Sequence, residues 1–553
     1  MGEQKKKIRG GEVVVKCLHE ESVTKIFGIT GGQLITIYDA IYRWGREKGM
    51  DTVMLRHEQA AAHAADAWAR VTNKPGVCMG TVGPGATHLV PGVGAAWSDN
   101  IPVITIVPQV RSRDFDRFAL QGGLDQATMF KPITKYQKSV NKIEEIPDAV
   151  RKSFREATGG RPGPILLELD EDALFSEIDE DEILFLAKNQ YRAIRKPAVE
   201  NQLIKESLNL LLNAKKPLIV SGGGVARAEA WDELQEFAEY LQIPVITSIM
   251  GVGTISNQSK CHMGVGRGPL NLTSDADVIL SLGCKFSFVM GFGAKPRWKD
   301  SQKLIQIDID PSMIGRNKPV TLGIVGDCKS FLTQILDEVK QVEKIETREW
   351  LEKLSEAKKQ YETTMRKTAL NDSIPMEPLR MAKEVLEFID EDAILILDGG
   401  NITGSAYAQL NMYKDRKPLS TLQAIGMGHL GTSVPYGIGA KLAKPDKQVV
   451  SISGDGSFMI NIQDLETAVR LGLKNLIFVV GNNSAWGMIK DIQRTWLGKR
   501  YIDTDIPEFD YGKCTEGFGC YGESVSDPNE LKGALERAKN SNKPAVIDVK
   551  IKY

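Results

Sequence analysis

Several features that would narrow the class of this protein are absent from its 553 residues. No apolar run reaches the ~20 residues of a membrane-spanning helix, and the first residues lack an apolar targeting segment. The seven cysteines form no Cys-x-x-Cys pair, and the formal net charge is only −1. We therefore expect a cytoplasmic protein with reduced core thiols, and neither nucleic acid nor a membrane as a partner.

Length and patterning indicate three domains. A chain this long exceeds what one hydrophobic core supports, and its 42% hydrophobic and 25% charged content fits a globular protein. Apolar runs alternate with helical patterns in three segments, which favours an α/β fold throughout. We predict domains at 1–180, 198–345 and 370–553, with a charged helical linker before the third.

Two short motifs close successive apolar runs of the third segment. Gly454-Asp455-Gly456-Ser457 ends one run, and Asn482-Asn483 ends the next. Both runs are typical of buried parallel strands whose ends lie side by side, so Asp455 and Asn483 can converge. A carboxylate and an amide oxygen suit Mg²⁺, and the glycines would let a diphosphate approach the following helix. The alternative is a tight strand-to-helix turn followed by an ordinary Asn turn.

A distant second motif is the segment 56–70, which reads RHEQAAAHAADAWAR. It places Glu58 at the start of an Ala-rich helix, where a buried carboxylate is costly without a partner. The alternative is an acid of the first turn stabilised by the helix dipole.

Together these motifs resemble thiamine diphosphate (ThDP) enzymes of the acetolactate synthase, 2-hydroxyacyl-CoA lyase and oxalyl-CoA decarboxylase superfamily. The resemblance covers nearly the whole chain. It implies three doubly wound parallel-sheet domains, which would be the pyrimidine-binding, middle and diphosphate-binding domains. It also implies ThDP and Mg²⁺ as cofactors and carbon–carbon lyase or carboligase activity. In that family the elements holding Glu58 and Asp455 meet across a subunit interface, so a homodimer or homotetramer is expected.

The resemblance also assigns roles to individual residues. Glu58 would activate the cofactor through its pyrimidine ring, while His429, Gln121 and His88 would face the reacting groups. The same positions are also compatible with structural or solvated side chains. The remaining expected residues bind the cofactor or the metal: Gly399, Asn401, Met427, Leu430, Gly454, Gly456, Ser457 and Asn483 for ThDP, and Asp455, Asn483 and Ala485 for Mg²⁺.

Two departures from the acetolactate synthase pattern leave the substrate open. Ile492 stands where those enzymes carry a Trp that selects the second 2-oxo acid, and Leu120-Gln121-Gly122 replaces their Phe-Gln-Glu. The middle segment instead resembles the acyl-CoA enzymes, with Asp308 as a ribose contact and Arg227 and Arg316 as phosphate contacts. ADP, CoA or FAD at the middle domain all stay open.

Two observations count against CoA. A lysine usual near the turn at 221–224 is absent, and the chain ends at Tyr553, where we expect no further segment to close over CoA. The favoured prediction is nevertheless a 2-hydroxyacyl-CoA lyase acting on a small-molecule acyl-CoA substrate. The alternative is acetolactate synthase-like condensation or decarboxylation of 2-oxo acids. A catalytically silent ThDP-binding protein is a third possibility, but the joint presence of Glu58, Asp455 and Asn483 argues against it.

Overall fold

The computed structural model describes residues 6–194, 196–266, 272–345, 348–410 and 412–553. Three six-stranded sheets dominate these residues, and all their strand pairs are parallel. Their central strands are buried along their whole length, which explains why they appear in the sequence as continuous apolar runs. The three predicted doubly wound parallel-sheet domains are therefore confirmed.

The first sheet has the strand order β3-β2-β4-β5-β7-β6. A small antiparallel pair, β1 with β8, lies beside it. The strands are β1 (Lys7–Arg9), β2 (Lys25–Gly28), β3 (Asp51–Met54), β4 (Gly76–Met79), β5 (Val103–Gln109), β6 (Tyr136–Val140), β7 (Ile165–Asp170) and β8 (Glu177–Asp179). The helices are α1 (Gly10–Glu20), α2 (Ile35–Ala40), α3 (Glu58–Thr72), α4 (Pro84–Asp99), α5 (Gln126–Phe130), α6 (Ile146–Thr158) and α7 (Glu171–Phe175).

The middle sheet has the order β11-β10-β9-β12-β13-β14. Counted within the domain this is 3-2-1-4-5-6, the order of dinucleotide-binding sheets, whose ligand crevice lies where the order reverses. Its strands are β9 (Pro217–Ser221), β10 (Val245–Thr247), β11 (His262–Val265), β12 (Val278–Leu282), β13 (Lys303–Asp308) and β14 (Leu322–Val325). Its helices are α8 (Asn201–Leu212), α9 (Gly223–Ala228), α10 (Trp231–Leu241), α11 (Leu272–Asp275) and α12 (Cys328–Val339), and α13 (Glu349–Thr368) leads to the third domain.

The third sheet repeats the connectivity of the first, with the order β16-β15-β17-β18-β20-β19. Its strands are β15 (Ile394–Asp398), β16 (Thr421–Leu422), β17 (Val449–Gly454), β18 (Leu476–Asn482), β19 (Tyr521–Val525) and β20 (Ala545–Lys550). Its helices are α14 (Pro378–Phe388), α15 (Asn401–Tyr407), α16 (Ser433–Ala443), α17 (Asp455–Met459), α18 (Leu465–Arg470), α19 (Gly487–Trp496), α20 (Tyr511–Glu516) and α21 (Leu531–Asn540).

Helices α3 and α16 join the first and third domains. Their backbones approach closely at Gly439, where a Cβ atom would come within 2.2 Å of the Ala64 carbonyl oxygen. A buried ionic group lies beside this contact, with Arg70 donating to Asp66 and to Asp99 at 2.9 Å each. The small residues of segment 56–70 thus serve a domain interface. Among the described residues, no helix is both long and apolar enough to cross a bilayer.

Candidate active site

The ends of β17 and β18 lie side by side, as the two third-domain motifs predict. Gly454 pairs with Gly481 in the parallel ladder, so Asp455 and the turn at 483–485 follow at the same sheet edge. Asp455 Oδ1 accepts the Gly456 N–H at 2.8 Å, whereas Oδ2 is buried and has no hydrogen-bond partner among the described residues. A buried carboxylate oxygen left in this state is the kind of group that a cation satisfies.

The electrostatics of Asp455 reflect two opposing effects. Burial raises the pKa of its carboxyl, and backbone N–H groups of Gly456, Ser484, Ala485 and Asn483 lower it. These N–H groups show that the 483–485 turn reaches the aspartate. The Asn483 Oδ1 accepts the Ala485 N–H at 3.1 Å, and the Ala485 carbonyl accepts the Gly487 N–H at 2.8 Å. The donor set of carboxylate, amide and carbonyl oxygens fits a hard cation such as Mg²⁺.

Glycines shape a cradle next to this group. Gly399 has φ +131°, and a Cβ atom there would lie 3.2 Å from the Gly454 backbone nitrogen. A Cβ atom at Gly456 would come within 2.8 Å of the Trp486 ring. Asn401 begins α15 and donates to Asp491 Oδ2 at 2.5 Å, so its amide is tied to α19. At Gly399 and Gly456 the protein's own atoms fill the space beside the backbone, so glycine is what allows the turns of this cradle to pack this closely.

Ser457 makes contacts within the protein that the sequence did not predict. Its hydroxyl donates to Asp398 Oδ1 at 2.5 Å and accepts the Gly431 N–H at 3.0 Å. The other Asp398 oxygen accepts the Ser433 N–H at 2.8 Å. The single hydroxyl proton of Ser457 is used in this link, and the predicted contact of Ser457 with ThDP stays a prediction.

The loop at 426–431 carries the three residues predicted to hold the cofactor bent or to exchange protons. Met427 is 53% exposed, and its sulfur lies 3.3 Å from where a Gly94 Cβ would stand on α4. Leu430 is half-buried. His429 Nδ1 is 2.7 Å from the Leu430 carbonyl oxygen, and its ring meets the buried His63 edge-on at 4.6 Å. Met427 is thus free on one side, while His429 is fixed against α3.

Glu58 occupies the first position of α3 and is buried. Its Oε2 lies 3.0 Å from His88 Nδ1 on α4, and the His88 ring stacks on His57 at 4.5 Å. Burial and the neighbouring His88 lower the pKa of His57. Within the described part of one chain, Glu58 and Asp455 contact different elements and do not contact each other.

Gln121 lies in an exposed loop with φ +64°, and its carbonyl oxygen would be 2.4 Å from a Cβ at Gly83. Gln109, by contrast, is buried and donates to Leu124 O and Glu168. Gln126, which no sequence motif singles out, donates to Glu168 at 3.0 Å and accepts the Gly83 N–H at 2.8 Å. The side-chain amides of Gln109 and Gln126 therefore fix the end of the loop that contains Gln121.

Helix α19 has no buried residue, and Ile492 is 45% exposed on it. Met488 lies on the same helix, and its side chain would contact a Cβ atom at Gly400 at 3.0 Å. Ile492, where the resembled enzymes carry a Trp, therefore lies on an exposed helix that begins beside the glycine cradle.

A cavity of about 830 Å³ opens at the reversal point of the middle sheet. The turns after β9 and β12 line it with Gly223, Gly224 and Gly283, and Asp308 lies at its wall. The sequence did not single out Arg161 and Lys285, which also line it. This is the size and place expected for a nucleotide-containing ligand.

The predicted phosphate contacts behave differently in the structure. Arg227 lines the cavity but donates to Ala69 O and Asn73 Oδ1, each at 3.0 Å, in the first domain. Arg316 is exposed and does not line it. Arg161 reaches the region from the first domain and pairs with Asp310 at 3.0 Å.

Family models for thiamine pyrophosphate enzymes match all three domains. The N-terminal TPP-binding domain matches residues 8–129, the central domain 204–335, and the C-terminal TPP-binding domain 398–549. The chain therefore belongs to the thiamine pyrophosphate enzyme family, and it is a ThDP-dependent enzyme.

Relatives matched over most of their length bear on which reaction this enzyme catalyses. The chain is 34% identical to the probable acetolactate synthase large subunits of Methanocaldococcus jannaschii and Methanococcus aeolicus, over 98% of this chain and 92% of each relative. It is 32% identical to the acetolactate synthase large subunit of Haemophilus influenzae, over 99% of this chain and 95% of the relative. These names favour the predicted alternative, 2-oxo acid condensation, over the 2-hydroxyacyl-CoA lyase.

Proposed function

We propose that this protein is a ThDP- and Mg²⁺-dependent carboligase that condenses two 2-oxo acids, as acetolactate synthases do. In this reaction one 2-oxo acid loses CO₂, and its carbonyl carbon forms a bond to the carbonyl carbon of a second 2-oxo acid. The observation that carries the proposal is the buried Asp455 oxygen beside Asn483, which has no hydrogen-bond partner among the described residues, in a chain matched over 98% of its length by an acetolactate synthase subunit.

Asp455, Asn483 and Ala485 would hold Mg²⁺, with water and phosphate oxygens completing its shell. The cradle at Gly399, Gly454 and Gly456 would take the diphosphate. Bound ThDP supplies the carbanion chemistry that cleaves and forms carbon–carbon bonds. Met427 and Leu430 would pack between its two rings and exclude water from the space around them.

Glu58 would hydrogen-bond the aminopyrimidine and hold a proton at its ring nitrogen. Because Glu58 and Asp455 do not meet within one chain, a second subunit would bring the two elements together, in a homodimer or homotetramer. Each site would then combine the first domain of one subunit with the third domain of its partner.

The middle cavity would hold an adenine nucleotide moiety, and the proposed 2-oxo acid condensation makes FAD the first candidate to test, ahead of CoA. Asp308 would accept from a ribose hydroxyl, and Arg161 and Lys285, which line the cavity, would face the phosphates. Absorbance near 450 nm, together with mass spectrometry of the ligand released on denaturation, tests this assignment. Recovery of no flavin or adenine nucleotide after reconstitution would count against it.

The second candidate function is that of a 2-hydroxyacyl-CoA lyase, because Ile492 and Leu120-Gln121-Gly122 depart from the acetolactate synthase pattern. The loss of two aromatic rings and a carboxylate leaves more room for a bulkier substrate.

Product analysis separates the two readings. The protein with ThDP and Mg²⁺ is incubated with pyruvate, with oxalyl-CoA, and with formyl-CoA plus aldehydes, and the products are identified by mass spectrometry. We expect 2-acetolactate from pyruvate, and Glu58→Gln should lower its rate by about 10²–10⁴-fold. Products from the CoA thioesters alone would support the lyase. No product, with no acceleration of C2 hydrogen exchange on bound ThDP, would indicate a silent binding protein.

A further inference from the structure

The hydrogen bond between Glu58 and His88 gives the active site a residue whose role the family motif does not define. We infer that His88 is a positioning residue: its Nδ1–H donates to Oε2 of Glu58 and holds that carboxylate so that its other oxygen faces the cofactor. The inference rests on the proposed role of Glu58. The sequence placed His88 among the catalytic candidates, whereas the structure has it acting through Glu58, at 3.0 Å.

The helix packing fixes this contact. Glu58 and Ala62 lie one turn apart on α3, and His88 and Gly92 lie one turn apart on α4. At the second pair the helices nearly touch, because a Cβ atom at Gly92 would come within 2.5 Å of the Ala62 Cβ and 3.1 Å of the His63 backbone nitrogen. The bare Gly92 therefore lets α4 approach α3 closely enough for the ring one turn earlier to reach Glu58.

His57 defines the plane of the His88 ring. The His57 Nδ1 accepts the Gln59 N–H at 3.1 Å, so that nitrogen carries no proton. Its ring stacks on His88 with an angle of 30° between the planes. The His88 ring is thus held on one face by His57 and at one edge by Glu58, while 46% of its side chain stays exposed.

The donor in the hydrogen bond between His88 and Glu58 follows from the chemistry of the two side chains. A carboxylate oxygen accepts, so the proton between the two residues belongs to His88 Nδ1. With Oε2 occupied, Glu58 loses rotational freedom and keeps Oε1 for its own partner. Catalytic groups need to be held within about 0.5 Å of their working position, and small displacements cost up to ~10²-fold in rate.

Two substitutions show whether position 88 requires only a hydrogen-bond donor or the imidazole ring itself. His88→Asn places an amide N–H where Nδ1 was, whereas His88→Leu keeps a similar volume without a donor. His88→Leu should slow C2 hydrogen exchange of bound ThDP by about 10–100-fold, with melting temperature and ThDP affinity close to wild type. His88→Asn should restore exchange to within about threefold. Crystals of the cofactor-free proteins should show one Glu58 rotamer in the wild type and His88→Asn, and several in His88→Leu.

Two results would overturn the inference that His88 positions Glu58. Wild-type exchange and a single Glu58 rotamer in His88→Leu would overturn the inference. Equal damage in His88→Asn and His88→Leu would also overturn it, because the imidazole itself would then be required. His88→Ala serves as the second donor-free variant if His88→Leu folds poorly. Glu58→Gln distinguishes the two proposals. Wild-type exchange in that variant would refute the proposed role of Glu58, and the inference about His88 would fall with it. Slowed exchange in Glu58→Gln together with wild-type exchange in His88→Leu would refute the inference about His88 alone.

Discussion

The carboxylate of Asp99, at the end of α4 in the first domain, accepts the backbone N–H of Gly426 in the third domain at 2.9 Å. Its other oxygen accepts from Arg70 at 2.9 Å, and both Asp99 and Gly426 also line the middle cavity. Gly426 immediately precedes Met427. One buried side chain at the wall of the middle cavity therefore connects the first domain to the loop that is proposed to shape the cofactor.

Asp99→Asn tests this connection. The amide preserves size but removes the charge that Arg70 faces, and Asp66 is then the one ionic partner left to Arg70 among the described residues. We expect the free energy of unfolding to fall by about 1–3 kcal/mol, measured by urea denaturation, and ThDP affinity to weaken as the Met427 loop loosens. The exposed pair Arg46–Asp51 is the control, because Asp51→Asn should cost below about 1 kcal/mol. Equal effects of the two changes would show that the buried contact is unimportant.

Gly439→Ala tests the contact between α3 and α16. The added Cβ would meet the Ala64 carbonyl oxygen at 2.2 Å, so the two helices must separate. We expect a loss of about 1–3 kcal/mol in stability by thermal or urea unfolding. Gly404→Ala is the matched control, since Gly404 lies in α15 with nothing within 4 Å of its Cβ position and alanine favours helix. A neutral Gly439→Ala would mean that the interface can shift without cost.

The positions proposed to hold the metal are predictable from the sequence, because strands buried on both faces appear as continuous apolar runs with their polar residues at the carboxyl ends. Asp455 and Asn483 follow such strands directly. The link from Ser457 to Asp398 is not predictable, because it joins residues 59 positions apart through the choice of neighbouring strands. Arg161 reaches the middle cavity only through the packing of two domains, which no local pattern encodes.

Asp455→Ala tests the proposed metal site. Removing the carboxylate takes away the one anionic ligand of the set, so Mg²⁺ affinity and Mg²⁺-dependent ThDP binding should both be lost in calorimetric titrations. Asp491→Ala is the control: it lies on the neighbouring α19 and pairs with Asn401 and Arg494. It should leave the metal affinity within a fewfold of wild type. Tight Mg²⁺-dependent ThDP binding by Asp455→Ala would place the metal elsewhere.

Asp464 should give the protein a defined pH dependence of stability. It is buried, one of its oxygens lacks a partner among the described residues, and burial raises its pKa from 3.8 to about 6. The folded state therefore binds more protons than the unfolded state between about pH 4 and 6. As pH rises through this window, ionisation of Asp464 lowers the free energy of unfolding, and the whole loss is present above about pH 6. A shift of this size corresponds to roughly 3 kcal/mol.

Asp464→Asn removes that penalty while keeping an oxygen that can accept from the Arg56 N–H and the Thr467 hydroxyl. Urea unfolding at several pH values should show the variant more stable than wild type at pH 7.5, with the difference vanishing near pH 4. Asp116→Asn, at an exposed position, should show no such trend. A variant that is less stable at pH 7.5 would mean that the ionised carboxylate is needed there.

Ile492→Trp tests the substrate proposal at the position where acetolactate synthases carry their selective Trp. If two 2-oxo acids are condensed, the ring should fill the space left by Ile492 and favour the acceptor with the additional methylene. A methylene in an apolar pocket is worth about 1–3 kcal/mol, so the product ratio from mixed pyruvate and 2-oxobutyrate should shift at least ~10-fold towards the 2-oxobutyrate adduct. Arg494→Trp, on a different face of α19, is the control and should leave the ratio unchanged. An unchanged ratio in Ile492→Trp, with faster turnover of a CoA thioester, would contradict both the proposed condensation and the expectation that a Trp here hinders bulky substrates.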